Sequence, residues 1–172
     1  MTIIGIDPGV TGAIAWISDD RGVCIWDTPT LRTLDKKGKI RTLYDAVRMG
    51  GLLRDMKARE YCAYIEKVVA MPRMKDGKPM TMGATSMLGY GYGYGLWIMA
   101  LTMLEIPYTE VHPATWKARA MMGMPKGKDA DILRAQQLYP TADIKLKKHH
   151  GRADALLIAH YGMMIETNKP QF

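Results

Sequence analysis

The sequence predicts an α/β fold, one domain over residues 1–172 with a mixed five-stranded sheet flanked by helices. Three observations carry that expectation. Three short apolar runs separated by turn residues open the chain, and helical and strand-like periodicities then alternate to its end. A chain of 172 residues, 48% hydrophobic, is enough for one core of ordinary size, and no repeat or linker divides it.

Residues 3–7, 13–17 and 22–27 read as strands. Ile3-Ile4-Gly5-Ile6-Asp7 is an apolar run closed by an acid; Pro8 and Gly9 bend the chain, and Gly12 lets it return close by. Val23 and Ile25 alternate in the third run, so short turns join an antiparallel meander. Residues 28–39 are polar and read as an exposed loop. Apolar spacing at Leu43, Ala46, Val47, Leu52, Leu53 and Met56 predicts a helix over 40–59, interrupted at Gly50-Gly51. Residues 62–65 form a short buried strand ending at Glu66. Prolines, glycines, methionines and basic residues make 70–86 a mobile loop. A buried helix follows at 96–104 and a strand at 108–111. The next helix spans 113–122, with Pro113 in its first turn. Another spans 129–138, where Asp129 and Asp131 favour the N-terminus and Pro140 stops it. The last helix is expected over 152–165, with a frayed tail at 167–172.

No run of eighteen apolar residues is present, so no membrane span is expected. The N-terminus lacks a basic stretch before a small-residue cleavage site, so no secretory leader is expected. Cys24 and Cys62 lie in apolar strand contexts as buried free thiols, which suits a reducing cytoplasm. The net charge is +7 and the pI about 9.4, pointing to a polyanionic partner. Basic residues gather at 32–41, 73–78, 117–128 and 145–152, in loops or at helix ends. Arg73, Lys75, Lys117, Lys126, Lys128, Lys147, Lys148 and Arg152 are the candidate DNA contacts from these clusters. For any one of them an ordinary solvated face is the alternative.

Asp7, Glu66 and Asp154 carry the chemical signal. Each stands at the end of an apolar run, where an unpaired carboxylate is costly to bury. Three acids converging from distant positions suit a hard cation such as magnesium. A negative pocket inside a basic rim is what a metal-dependent nuclease needs.

The blocks Ile4-Gly5-Ile6-Asp7-Pro8-Gly9 with Thr11-Gly12, Ile65-Glu66-Lys67-Val68, and His112-Pro113-Ala114-Thr115-Trp116-Lys117 occur in one order along the chain. Lys126-Gly127-Lys128-Asp129 and the run from Gly151 through Arg152-Ala153-Asp154 to Ala159 complete the series. Together they resemble the RuvC family of Holliday junction resolvases, particularly its phage-encoded branch. The resemblance implies a ribonuclease H-like fold and a homodimeric endonuclease that nicks opposed strands of a four-way DNA junction. It also implies that Asp7, Glu66 and Asp154 hold two magnesium ions, for which manganese can substitute. Lys117, Lys126 and Lys128 would then meet phosphates beside them.

Two positions depart from the family pattern. Bacterial members place an Asp or His three residues before the helix Asp, where this chain has Gly151. His150 stands one residue earlier and is the candidate fourth metal ligand or base; the alternative is that His149 and His150 join the DNA-facing surface. Some members also carry a Phe three residues after the strand Glu, where this chain has Val69. Met71, Met74 or Met80 could wedge into a junction instead, or could simply belong to a flexible loop. The resemblance places the run Gly89-Tyr90-Gly91-Tyr92-Gly93-Tyr94-Gly95 at the start of the helix that follows the Glu66 strand, where it reads as a close-packing segment with one tyrosine available for stacking. Trp116 is assigned to the core, and His112 and His160 receive no catalytic role. Competing functions are an actin-like ATPase or sugar kinase, an inactive branched-DNA-binding module, and a related nuclease acting on flaps or other structures. The first needs two lobes and about twice this length.

Overall fold

The computed structural model describes residues 1–18, 22–55, 61–69, 73–75, 78–80, 83–127 and 129–168, with backbone alone at 73–75 and 78–80. Five strands make the main sheet: β1 (Thr2–Asp7), β2 (Ala13–Ser18), β3 (Gly22–Asp27), β6 (Tyr61–Glu66) and β9 (Tyr108–Val111). Their order is β3-β2-β1-β6-β9, with β1 central. β2 runs antiparallel to β1 and β3, whereas β6 runs parallel to β1 and β9. The mixed five-stranded sheet is the one expected.

β1 is apolar along its length because both of its faces are covered. Its side chains alternate. Ile4 and Ile6 join a core with Met49, Leu53, Trp97 and Leu101, from α1 (Ala46–Asp55) and α2 (Ala84–Met103). Ile3 joins the opposite core with Leu156, Leu157 and Ile158 of α5 (His150–Thr167). Gly5 shares the α5 face, where an added Cβ would run into the carbonyl oxygen of Ala155 and the amide nitrogen of Ala159. The helix lies on bare backbone there, and only glycine permits it. α3 (Pro113–Ala120) and α4 (Ala130–Leu138) pack on α5 in turn.

The structure departs from the sequence reading in four places. Residues expected to begin a helix at 40 instead form β5 (Ile40–Tyr44), which pairs with β4 (Thr30–Leu34) in an antiparallel hairpin. Asp35 closes its turn by accepting from the amides of Lys37 and Lys39, and Gly38 supplies a φ of 72°. The helix starts one residue after Asp45, whose Oδ1 accepts from the Arg48 amide at 3.0 Å. The described residues between 70 and 86 include a second hairpin, β7 (Arg73–Lys75) with β8 (Lys78–Met80), and the first residues of α2.

α2 also starts twelve residues earlier than expected and takes the whole glycine–tyrosine run into the helix. Tyr90 and Tyr94 are four residues apart and half-buried on the inner face, while Tyr92 points out and is 57% exposed. Gly93 lies against the ring of Tyr44 and leaves no room for a Cβ. α5 begins at His150, two residues before the expected start. The expected tail at 167–172 lies almost wholly outside the described residues.

Candidate active site

Asp7 and Glu66 end adjacent parallel strands. The register pairs Ile6 with Ile65, so the two carboxylates leave the same carboxyl edge of the sheet, where α/β folds hold their ligands. Asp7 falls on the face that α5 covers, two residues beyond Gly5. Asp154 is one turn into α5, near enough to Asp7 and Glu66 for both to raise its pKa.

The turn after β1 is shaped around Asp7. The Gly9 amide donates to Asp7 Oδ1 at 3.3 Å, and a Cβ on Gly12 would stand 2.9 Å from the Asp7 Cγ. Burial, then repulsion from Glu66, raises the Asp7 pKa to about 6 against the pull of the Gly9 amide and Lys117. Asp154 rises to about 7, first through burial and then through Asp7, Asp131 and Glu66, with Lys117 opposing. Its Oδ2 lies 3.6 Å from Lys117 Nζ, while its buried Oδ1 has no hydrogen-bond partner. Glu66 is held at both oxygens: Trp116 Nε1 donates to Oε2 at 2.8 Å and the Tyr90 hydroxyl reaches Oε1 at 3.5 Å. A cleft of about 460 Å³ opens beside Asp7, between Thr11, Thr42 and Tyr44 on one side and Ser86 and Tyr90 on the other.

Among the described residues, no three His, Cys, Asp or Glu side chains already stand at ligating distance of one point. The donor set still fits a hard cation. Burial and the repulsion among these acids raise Asp7 to about 6 and Asp154 to about 7, and a buried oxygen of Asp154 is unsatisfied. The Lys117 ammonium already supplies positive charge beside Asp154.

The other sequence candidates separate. His150 begins α5, so it and Asp154 lie four residues apart on one helix face. Its Nδ1 is 2.8 Å from Asp131 Oδ2 and its Nε2 is 3.4 Å from Asp129 Oδ1, so the ring is engaged by the N-terminal acids of α4. Position 151 has no room for the family's usual ligand, because a Cβ there would strike the Thr11 carbonyl oxygen. His149 is buried, contrary to a DNA-facing role. Arg152 is likewise no open contact: it forms a paired bond with Asp27 at 2.6 and 2.8 Å and a third with Asp143 at 2.6 Å. Only 18% of its side chain is exposed. Lys126, Lys147 and Lys148 are exposed. Lys128 and the side chains of Arg73 and Lys75 lie outside the described residues, as do those of Met71, Met74 and Met80.

Sequence reasoning missed Trp116, Tyr90 and Tyr44 as neighbours of the acids, and Asp131 as the partner of His150. Tyr44 was hidden by the helical reading of 40–59. Trp116 carried one usable signal, its place next to Lys117.

No family model matches the chain. It is 28% identical over 158 residues to the chloroplastic Holliday junction resolvase MOC1 of Chlamydomonas reinhardtii, an alignment covering 82% of the chain. The chain spans only 17% of that protein's length. A Thermus thermophilus RuvC solved in complex with a Holliday junction substrate superposes with a TM-score of 0.59 at 14% identity, over 99% of both chains. A second T. thermophilus RuvC structure gives 0.55 at 17% identity, over 99% of this chain and all of that one. The chain is therefore similar in sequence to a Holliday junction resolvase and has the ribonuclease H-like fold of RuvC.

Proposed function

We propose that this chain is a magnesium-dependent, structure-selective endodeoxyribonuclease that resolves Holliday junctions and other branched DNA. The meeting of Asp7, Glu66 and Asp154 at one sheet edge, with an unpaired buried oxygen on Asp154, carries the reading. Asp7, Glu66 and Asp154 would together hold two magnesium ions, for which manganese would substitute. Magnesium so held supplies an activated water and stabilises the leaving oxygen of the phosphodiester. Lys117 stands beside Asp154, where it can offset charge at the scissile phosphate. Lys126, Lys128, Lys147 and Lys148, with Arg73 and Lys75, would hold the DNA backbone. His150, four residues before Asp154 on α5, would join as a fourth group, as ligand or base, through Nε2 once it leaves Asp129, with Asp131 holding its ring.

Paired nicks need two centres, and α2 supports a homodimer. Its inner face is core, yet Leu88, Met99 and Met103 on the outer side are 76%, 62% and 75% exposed. A helix apolar on both sides has a second surface to cover. No helix among the described residues is long and apolar enough to cross a membrane. Cys24 and Cys62 form no disulfide and are half-buried rather than buried as expected, which suits the reducing cytoplasm in which such an enzyme would act.

Cleavage of matched four-way, three-way, flap and linear duplex DNAs, with magnesium present or withheld, tests the reading. Paired nicks confined to branched DNA, lost with Asp7→Asn but with junction binding retained, are expected. Full cleavage by Asp7→Asn would sink the metal assignment. Binding without cleavage by the wild type would favour an inactive junction-binding module, and cleavage of flaps alone a different nuclease.

A further inference from the structure

We infer that Trp116 is a positioning residue, an indole that ties Glu66 and Lys117 into one unit. The inference rests on the nuclease reading above. Trp116 is fully buried on α3, but its one polar atom does not point into the core; Nε1 donates to Glu66 Oε2 at 2.8 Å. Its ring carries the Lys117 ammonium 4.9 Å from the centroid, and that ammonium reaches Asp154 at 3.6 Å. One side chain thus touches the acid of β6 with its edge and the lysine that faces α5 with its face.

The chain contains its own control. Trp16 and Trp97 also bury their indole nitrogens, and neither has a hydrogen-bond partner. This fold therefore tolerates bare indole N–H groups, and satisfying a buried donor is not by itself a reason for the Trp116 bond. What distinguishes Trp116 is where the bond goes. With Oε2 bonded to Trp116, the Glu66 carboxylate cannot rotate freely, and Oε1, which carries only the long 3.5 Å contact with the Tyr90 hydroxyl, keeps a lone pair for a cation. Lys117 follows Trp116 on a helix, where consecutive side chains diverge by about 100°. Its stem must fold back to reach Asp154, and the π-face beneath the ammonium favours that rotamer. Partners that orient ligands in this way govern cation affinity by roughly 10–100-fold.

Trp116→Phe keeps a six-membered ring under Lys117 and removes the N–H together with the pyrrole part of the indole. Its expected effects are a roughly tenfold rise in the magnesium concentration giving half-maximal single-turnover cleavage, and junction affinity without metal within about twofold of wild type. Manganese binding to the DNA-free protein, followed by calorimetry, should weaken by a similar factor. Adding Trp116→Phe to Glu66→Ala should weaken manganese binding no further, because position 66 then offers the indole no acceptor. Trp116→Leu, which also removes the face, should lower the rate at saturating magnesium as well. If Trp116→Phe melts well below wild type, the isosteric benzothienyl analogue at 116 replaces it in every arm. An unchanged magnesium midpoint and unchanged manganese affinity in a well-folded variant would overturn the inference. So would additive losses in the double variant. Wild type that nicks no branched DNA would defeat the nuclease reading instead, and manganese calorimetry would still report whether Trp116 governs the acids.

Discussion

The two faces of the sheet are closed in different ways. On one, α5 lies directly on the backbone of β1 at Gly5, and Ala155, Leu156, Leu157, Ile158 and Ala159 are wholly buried. On the other, α1 and α2 bury Met49, Leu53, Trp97 and Leu101, but Val47, Leu88, Met99 and Met103 stay exposed. The first face carries Asp154 and sets its distance from Asp7 by backbone contact, which has no rotamers to vary. The second carries Tyr90 and an uncovered apolar stripe. Close backbone packing is concentrated on one side, and exposed apolar surface on the other.

The same change made on both faces should break this contrast most sharply. Gly5→Ala forces α5 off β1, an overpacking cost of about 3 kcal/mol, so the melting temperature should fall by roughly 6–12 °C. Gly50→Ala, in α1 with nothing near its Cβ position, should be neutral or stabilising by about 0.5–1 kcal/mol. Equal losses at both would show that the α5 contact is not special.

The next effect is electrostatic. Asp7 and Asp154 titrate near 6 and 7 in the folded protein, above the ordinary 3.8, so the native state binds protons more tightly than the unfolded chain. Metal-free protein should therefore be most stable near pH 4 and lose a few kcal/mol as pH rises to about 8. Asp154→Asn should flatten this slope, and magnesium at pH 8 should recover the loss. A melting temperature in chelator that is level from pH 5 to 8 would contradict the burial of these acids.

On the open face, Leu88→Glu with Met99→Glu should convert a dimer to monomers, measured by light scattering, with monomer stability changed by about 0.5 kcal/mol or less. A monomeric wild type would remove the partner role of α2. The smallest effect should be at Arg152. Its aspartate partners are exposed, so Arg152→Ala should cost about 1–2 kcal/mol of stability. The salt dependence of junction binding should stay as it was, whereas Lys147→Ala and Lys148→Ala should each lower the slope by about one.

Most of the main sheet was legible because its strands are apolar runs bounded by turn residues, a signal that survives without tertiary context. The hairpin at 30–44 was not. Leu31, Leu34, Ile40 and Leu43 are all exposed, so their spacing reports no buried face, and Leu43 was counted into a helix that begins at Ala46. The tyrosine–glycine run was half legible: periodicity started the helix only at 96, because glycine argues against helix locally, whereas the resemblance put the run at the helix start and the packing reading fits Gly93 on Tyr44. Asp7, Glu66 and Asp154 stood out because charge ends each apolar run. Arg152 did not, since a lysine-rich stretch gives no sign that one of its cations turns inward to Asp27 and Asp143.

Gly151 also constrains how this site can change over generations. The Thr11 carbonyl occupies the place of its Cβ, so no single substitution at 151 can add a carboxylate unless the β1–β2 turn moves first. A lineage under pressure for another acid must recruit it from position 150 or from α4, where Asp129 and Asp131 already stand beside His150. Turn and helix are therefore bound to diverge together. A chimera that exchanged one without the other would inherit either a clash or a gap at the catalytic edge.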